Sequence, residues 1–252
     1  MPGGREAIEI FHLQFLRVLG ARVDRKLYVL KGGCNLRFFA KSIRYSEDID
    51  LDIAVMQSNT LRGTVQHVLA ARALIDALAT RGISITQSTA PKQTETTQRW
   101  KIRLRVEDSA QEIPTKIEFS RRGLDPGVAL ESVDPELLRR YRLPPILVQH
   151  YLPEAAFRQK IGALAHRNQI QARDVFDLNL LLDAGAGKEP LPQPLGKSLP
   201  KAVENAMGVG YDEFAGQVLA YLEADYQDHY RKRQIWHQIQ ARVTQALEAL
   251  QP

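Results

Sequence analysis

Residues 48–53 read DIDLDI, a pattern that few folds accommodate. Ile49, Leu51 and Ile53 alternate with Asp48, Asp50 and Asp52, so a β-strand here has one apolar face and one acidic face. The apolar face requires a core behind the sheet. The acidic face requires compensation, because three carboxylates in a row repel one another. Water compensates on an exposed edge strand; a bound divalent cation does so more strongly.

The residues just upstream sharpen the choice. "LYVLKGG" reads as a short strand ending in a glycine turn, and "CNLRFFAK" opens a helix that leads to the acidic strand. Glycines permit tight turns and close backbone approach, and a helix N-terminus offers free N–H groups and a positive dipole end, a combination suited to phosphate. Taken alone, Gly-Gly before a helix is more often just a turn. Two carboxylates two residues apart on one face can hold Mg²⁺ through oxygen. Glu118, in "TKIEFS", is placed to be a third carboxylate of a two-metal site for phosphoryl transfer. Its plain alternative is a cross-strand salt bridge to a facing Arg or Lys.

Periodicity fills in the rest. Ile8, Phe11, Phe15, Leu16 and Leu19 recur at helical spacing over 6–19, and an Ala/Leu/Val pattern predicts one long helix over 61–79, closed by Gly82. "RWKIRLRV" puts Trp100, Ile102, Leu104 and Val106 on one face and Arg99, Lys101, Arg103 and Arg105 on the other. The polar turn "EDSAQE" joins it to "TKIEFS" as a hairpin. Past a Pro- and Gly-punctuated connection over 123–145, "PEAAFRQKIGALAHR", "RDVFDLNLLLDAG" and the tail over 201–250 read as helices, with "GKEPLPQPLGKSLP" as a linker. The expectation is an α+β chain: a mixed-sheet domain over 1–145 and a mainly helical one over 146–252.

The lone cysteine, Cys34, excludes an intrachain disulfide, and six scattered histidines show no zinc spacing. No apolar run approaches the ~18 residues of a membrane span, so no membrane partner and a cytoplasmic location are expected. A net charge of +5 is a mild pointer to an anionic partner.

Three blocks, "LKGGCNLR…RYSEDIDLDI", "KIEFS" and "RQKIGALAHRNQIQARDVFDL", together resemble the AbiEii/AbiGii-type nucleotidyltransferase toxins, in the polymerase-β-like nucleotidyltransferase superfamily. The resemblance covers roughly 27–182. It implies that Lys31, Gly32 and Gly33 form a turn gripping a nucleoside triphosphate, with Arg44 and Ser46 beside the phosphates. Asp48 and Asp50 would bind Mg²⁺, with Glu118 as the third carboxylate. Lys160 would steady the triphosphate, and Arg173 and Asp174 match the "RD" motif that the helical domain brings to the active-site cleft. Two departures stand out. Cys34 replaces the usual Ser, Thr or Ala after the glycines and is a poorer donor; Asp52 is an extra acid, read as solvated or supporting rather than ligating.

The resemblance implies a Mg²⁺-dependent toxin of a toxin–antitoxin or phage-defence pair. It would transfer a nucleotide from an NTP to RNA, with the tRNA 3′ end as expected acceptor, release pyrophosphate, and be paired with a cognate antitoxin. The row Arg99, Lys101, Arg103 and Arg105 is a candidate RNA track or simply a wet sheet face, with Arg231, Lys232 and Arg233 as a fallback. Open alternatives are transfer to a small molecule or a protein hydroxyl, a kinase-like reaction, and a non-catalytic nucleic-acid- or partner-binding protein.

Overall fold

A computed structural model describes residues 2–251 of the chain. Contacts divide it into two compact units. The first runs to Phe39 and resumes over Ser46–His150; the second takes Ala40–Tyr45 and the chain from Tyr151 onward.

In the first unit, α1 (Gly4–Gly20) is followed by a 3₁₀ turn (Arg25–Leu27), β1 (Tyr28–Lys31), α2 (Gly32–Phe39), β2 (Asp48–Ile53), α3 (Ser58–Leu69), α4 (Arg72–Ala79), β3 (Ile83–Gln93), β4 (Thr97–Val106), β5 (Glu112–Ser120), β6 (Val128–Ser132), α5 (Pro135–Arg140) and β7 (Leu147–Tyr151). The strands form one mixed sheet in the order β3-β4-β5-β2-β1-β7-β6. Strand β2 is antiparallel to β1 and parallel to β5, and β4–β5 is the antiparallel hairpin that the alternation predicted.

The two-faced pattern of β2 extends across its neighbours. Ile49, Leu51, Ile117, Phe119, Trp100, Ile102 and Leu104 are fully buried. They form one core with Phe11, Phe15 and Leu16 of α1, Leu61 and Val65 of α3, and Leu74 and Leu78 of α4. Residues in register on adjacent strands point to the same face. The pairs Lys31↔Asp50, Asp50↔Glu118 and Glu118↔Arg99 therefore run as one row across β1, β2, β5 and β4 on the opposite, charged face. Asp48↔Lys116 and Lys116↔Lys101 make the next row. The acidic strand is thus central in the sheet, not at its edge.

The single helix expected over 61–79 is two helices. Ala71 is extended (φ −68°, ψ 129°) and separates α3 from α4. The physical reason is phase. A step of six residues from Val68 to Leu74 turns about 240° at ~100° per residue, so one straight helix could not bury both rows. Three strands went unread. Strand β3 is an exposed edge carrying Pro91, while β6 and β7 are five residues each and β6 is largely exposed. Exposure in β3 and β6, and brevity in β6 and β7, remove the alternation that marks half-buried strands.

The second unit contains α6 (Pro153–His166), α7 (Ala172–Asp183), α8 (Gln193–Gly196), α9 (Leu199–Gly208), α10 (Tyr211–Gln217), a 3₁₀ turn (Leu219–Tyr221), α11 (Ala224–Tyr230) and α12 (Arg233–Glu248). Helix α12 buries Trp236, Ile239, Val243 and Leu247, a stripe at helical spacing, and Trp236 stacks on Phe214 at 4.6 Å. Segment 40–45 joins this unit through backbone bonds from Tyr45 to Tyr221 and from Glu223 to Ile43. Among the described residues, no helix is long and apolar enough to cross a membrane.

Trp100 gives a test of the first core. Its ring is 1% exposed and meets Phe119 edge-on at 5.9 Å, but its indole N–H has no partner. Trp100→Ala should destabilise by about 3–5 kcal/mol. Trp100→Phe should cost far less, since it keeps an aromatic body and removes the unsatisfied donor. Equal losses in chemical denaturation would contradict this packing.

Candidate active site

The chain passes from β1 straight into α2 through Gly32, which has φ +68°. A Cβ there would stand 2.9 Å from Oδ2 of Asp50, so glycine is required twice: by the left-handed backbone and by the carboxylate pressed against it. The sequence placed the glycine turn and the acidic strand close in the chain. The structure puts Gly32 and Asp50 in contact.

On the charged face most acids have a cation. Lys31 pairs with Asp52, Lys116 Nζ lies 2.5 Å from Asp48 Oδ2, and Arg99 Nε donates to Glu118 Oε2 at 2.6 Å. Glu118 is therefore both beside Asp50 in register and engaged in the cross-strand salt bridge. Asp50 has no such partner of its own among the described residues. Burial raises its carboxyl pKa, Lys116 opposes that, and the neighbouring charges of Asp48 and Glu118 push it further up. A crowded carboxylate with a raised pKa marks a place where added positive charge is favourable.

The donor chemistry fits a hard divalent cation. Among the described residues no group of three or more His, Cys, Asp or Glu side chains is gathered as a metal cluster. Mg²⁺ does not require one: it is commonly held by one or two carboxylates, with phosphate and water oxygens completing the octahedron. Asp48 and Asp50 would hold it. Glu118, held by Arg99, stands one strand away.

A buried hydrogen-bonded group fixes the backbone where β2 begins. Thr115 Oγ1 donates to the Glu47 carbonyl at 2.6 Å, so at its 2.8 Å contact with His12 Nε2 it accepts. The ring proton then sits on Nε2, and Nδ1 faces Cys34 Sγ at 3.4 Å. Burial pushes the His12 pKa down to about 3, which keeps the ring neutral. Burial also raises the Cys34 thiol pKa well above its usual value, which makes it unreactive. The Asp48 carbonyl accepts from Cys34 Sγ and from Ser46 Oγ at 2.9 Å. Ser46 is thus engaged with the strand backbone. His12 and Thr115 escaped the sequence reading because each looked like an ordinary position on an amphipathic element.

Within the second unit, Lys160 is buried and bridges α6 to α7, 2.9 Å from Asp174 and 2.6 Å from Asp177. Arg44 reaches both oxygens of Asp177 at 3.1 Å, and Arg167 Nε lies 3.1 Å from Asp174. Burial disfavours the charged Asp177 carboxylate, but Arg44 and Lys160 outweigh it and its pKa falls below the usual value. Arg44 therefore anchors segment 40–45 in this unit, and Arg173 remains half-buried beside the network. Three cations surround two acids. The residues alone left the role of Asp177 open; its signal is the i, i+3 spacing from Asp174 on one helix face.

Asp50 yields a stability test with a definite sign. A raised folded-state pKa means that ionising Asp50 costs stability above its ordinary carboxylate pKa. Asp50→Asn should therefore raise the melting temperature in cation-free buffer at neutral pH, and the gain should shrink as pH falls through the Asp50 pKa. A lower melting temperature for the variant at pH 7 would contradict the crowding.

Similarity to known proteins bears on the fold and the family. Among curated proteins, none matches the chain. Two Helicobacter pylori crystal structures share the fold. JHP933 aligns at TM-score 0.57 and 19% identity, over 97% of this chain and 94% of its own. A second protein, provisionally described as a nucleotidyltransferase, aligns at TM-score 0.60 and 19% identity, over 98% of both chains. The profile of the nucleotidyl transferase AbiEii toxin family, of type IV toxin–antitoxin systems, matches residues 14–248, which include the glycine turn, the acidic strand and the buried lysine network. The chain belongs to the AbiEii nucleotidyltransferase toxin family.

Proposed function

We propose that the protein transfers a nucleotide from an NTP to an RNA acceptor, with the tRNA 3′ end as the acceptor to test first, using Mg²⁺ held by Asp48 and Asp50. The observation that supports this most is Asp50, a crowded carboxylate without an ion pair, lying against the one residue type that leaves room beside it. When bound, the cation supplies the charge that offsets the triphosphate and favours attack at phosphorus. The chain's own part is positioning. Gly32 and Gly33 open α2, whose first-turn N–H groups suit a phosphate. Glu118 is the carboxylate proposed to accept the proton of the attacking hydroxyl. Lys31 adds positive charge beside Asp50. In the helical unit, Lys160 with Arg44, Arg173 and Asp174 is proposed to favour the nucleotide's negative charge, consistent with its surplus of cations over acids. Pyrophosphate would leave, and a cognate antitoxin would restrain the activity in the cell.

The RNA acceptor is favoured by the basic row on the same sheet face. Lys101 is exposed, and Arg103 and Arg105 are about half exposed, sharing Glu112 at 3.4 and 3.3 Å. Phosphate contacts dominate nucleic-acid affinity, and such a row can follow a backbone.

The test incubates purified protein with Mg²⁺, total tRNA and each α-labelled NTP in turn. Label should enter tRNA with one or more NTPs, and Asp48→Ala should abolish incorporation while keeping the fold. Label from γ-labelled ATP alone would instead indicate a kinase-like reaction. Wild-type incorporation by Asp48→Ala would sink the assignment of the acidic strand.

A further inference from the structure

The charged sheet face shows how the cation-free protein tolerates its acids. Asp52 is met by Lys31 from β1 and Glu118 by Arg99 from β4. Asp48 is met by Lys116, its register partner on β5, two residues from Glu118 on the same strand. These three partners differ in how readily they can leave. Arg99 presents a planar fork from the adjacent strand, and the Asp52 side chain is only 6% exposed. The Lys116–Asp48 pair is partly open to solvent, with side chains 31% and 25% exposed, much like Arg99–Glu118 at 34% and 24%, so the difference lies in the cation itself. A lysine ammonium is a hydrated point charge on a flexible stem, so exchanging it for an ion from solution costs little.

We propose that Lys116 is a built-in competitor for the divalent cation: its ammonium takes the positive position at Asp48 until a cation displaces it. This rests on the reading of Asp48 and Asp50 as the cation's ligands. A monovalent ammonium paired with Asp48 compensates Asp50 only in part, whereas a divalent cation between them offsets both, so the exchange runs toward the cation. The displaced ammonium stays on the same sheet face, in register with Lys101, which gives an incoming anionic nucleotide a second positive charge beside the first. The device also explains why the metal-free carboxylates do not repel their own strand out of the sheet: each one but Asp50 is already neutralised in place.

The test is calorimetric titration of Mn²⁺ into the full chain, comparing wild type with Lys116→Met in cation-free buffer. Removing a partly exposed competitor of ordinary salt-bridge strength should tighten Mn²⁺ binding about fivefold. The variant should also melt below wild type without cation, and Mn²⁺ should raise its melting temperature by more than that of wild type. Lys116→Gln, which keeps a polar stem, should show the same direction should Lys116→Met fold poorly. Lys116→Arg, which retains the charge, should not tighten binding. Equal or weaker Mn²⁺ affinity in both neutral variants would overturn the competition while leaving the cation site standing. No Mn²⁺ binding by wild type or variants would overturn the site and, with it, the competitor.

Discussion

Everything in the first unit turns on the repulsion among carboxylates carried by a central strand. Strand β2 cannot move to the edge, because Ile49, Leu51 and Ile53 complete the core beneath α1, α3 and α4. Its acids must therefore be tolerated in the middle of a sheet. The neighbours are arranged accordingly: Lys31 on β1, Lys116 on β5 and Arg99 on β4 each take one acid. One carboxylate is left over, Asp50, at the point where Gly32 leaves space beside it. The residual repulsion is confined to one carboxylate, so the fold keeps a site ready for a charged ligand at a local cost in stability.

The same constraint accounts for the neutral group beneath the site. A charged histidine or a thiolate near Asp48 would alter the balance on the strand. Burial instead keeps His12 and Cys34 neutral, so they contribute direction without charge. The second unit solves a different problem. Lys160 and Arg44 are buried against Asp174 and Asp177, where desolvation is costly unless every charge is paired. That pairing ties α6, α7 and segment 40–45 into one body.

Much of this was legible in the residues. Alternation in 48–53 and 99–106 identified the two-faced strands because one face of each is fully buried, the condition under which a period of two survives. Glu118 was readable either as a third carboxylate or as a salt-bridge partner; it lies next to Asp50 and is also bonded to Arg99. Other features were hidden for physical reasons. The pairing of each lysine with a particular acid depends on register, which the order β5-β2-β1 sets and no local pattern encodes. Strand β6 is exposed nearly throughout, and in β3 Ile83, Ile85 and Ala90 meet the core while most other positions are exposed, so little of a period of two survives. The break at Ala71 was readable, because Leu74 falls out of phase with Val68, but the continuous Ala/Leu composition concealed it. The membership of segment 40–45 in the helical unit rests on partners far along the chain, the Arg44–Asp177 pair and the backbone bonds to Tyr221 and Glu223.

The most direct measurement is anomalous diffraction from crystals of the wild-type chain grown with Mn²⁺ and a non-hydrolysable NTP. The expected result is a manganese peak coordinated by carboxylate oxygens of both Asp48 and Asp50, with Lys116 drawn away from Asp48. A fully occupied manganese site elsewhere, with Lys116 still bonded to Asp48 and no density at Asp50, would contradict the view that the acidic strand is where cation and nucleotide meet.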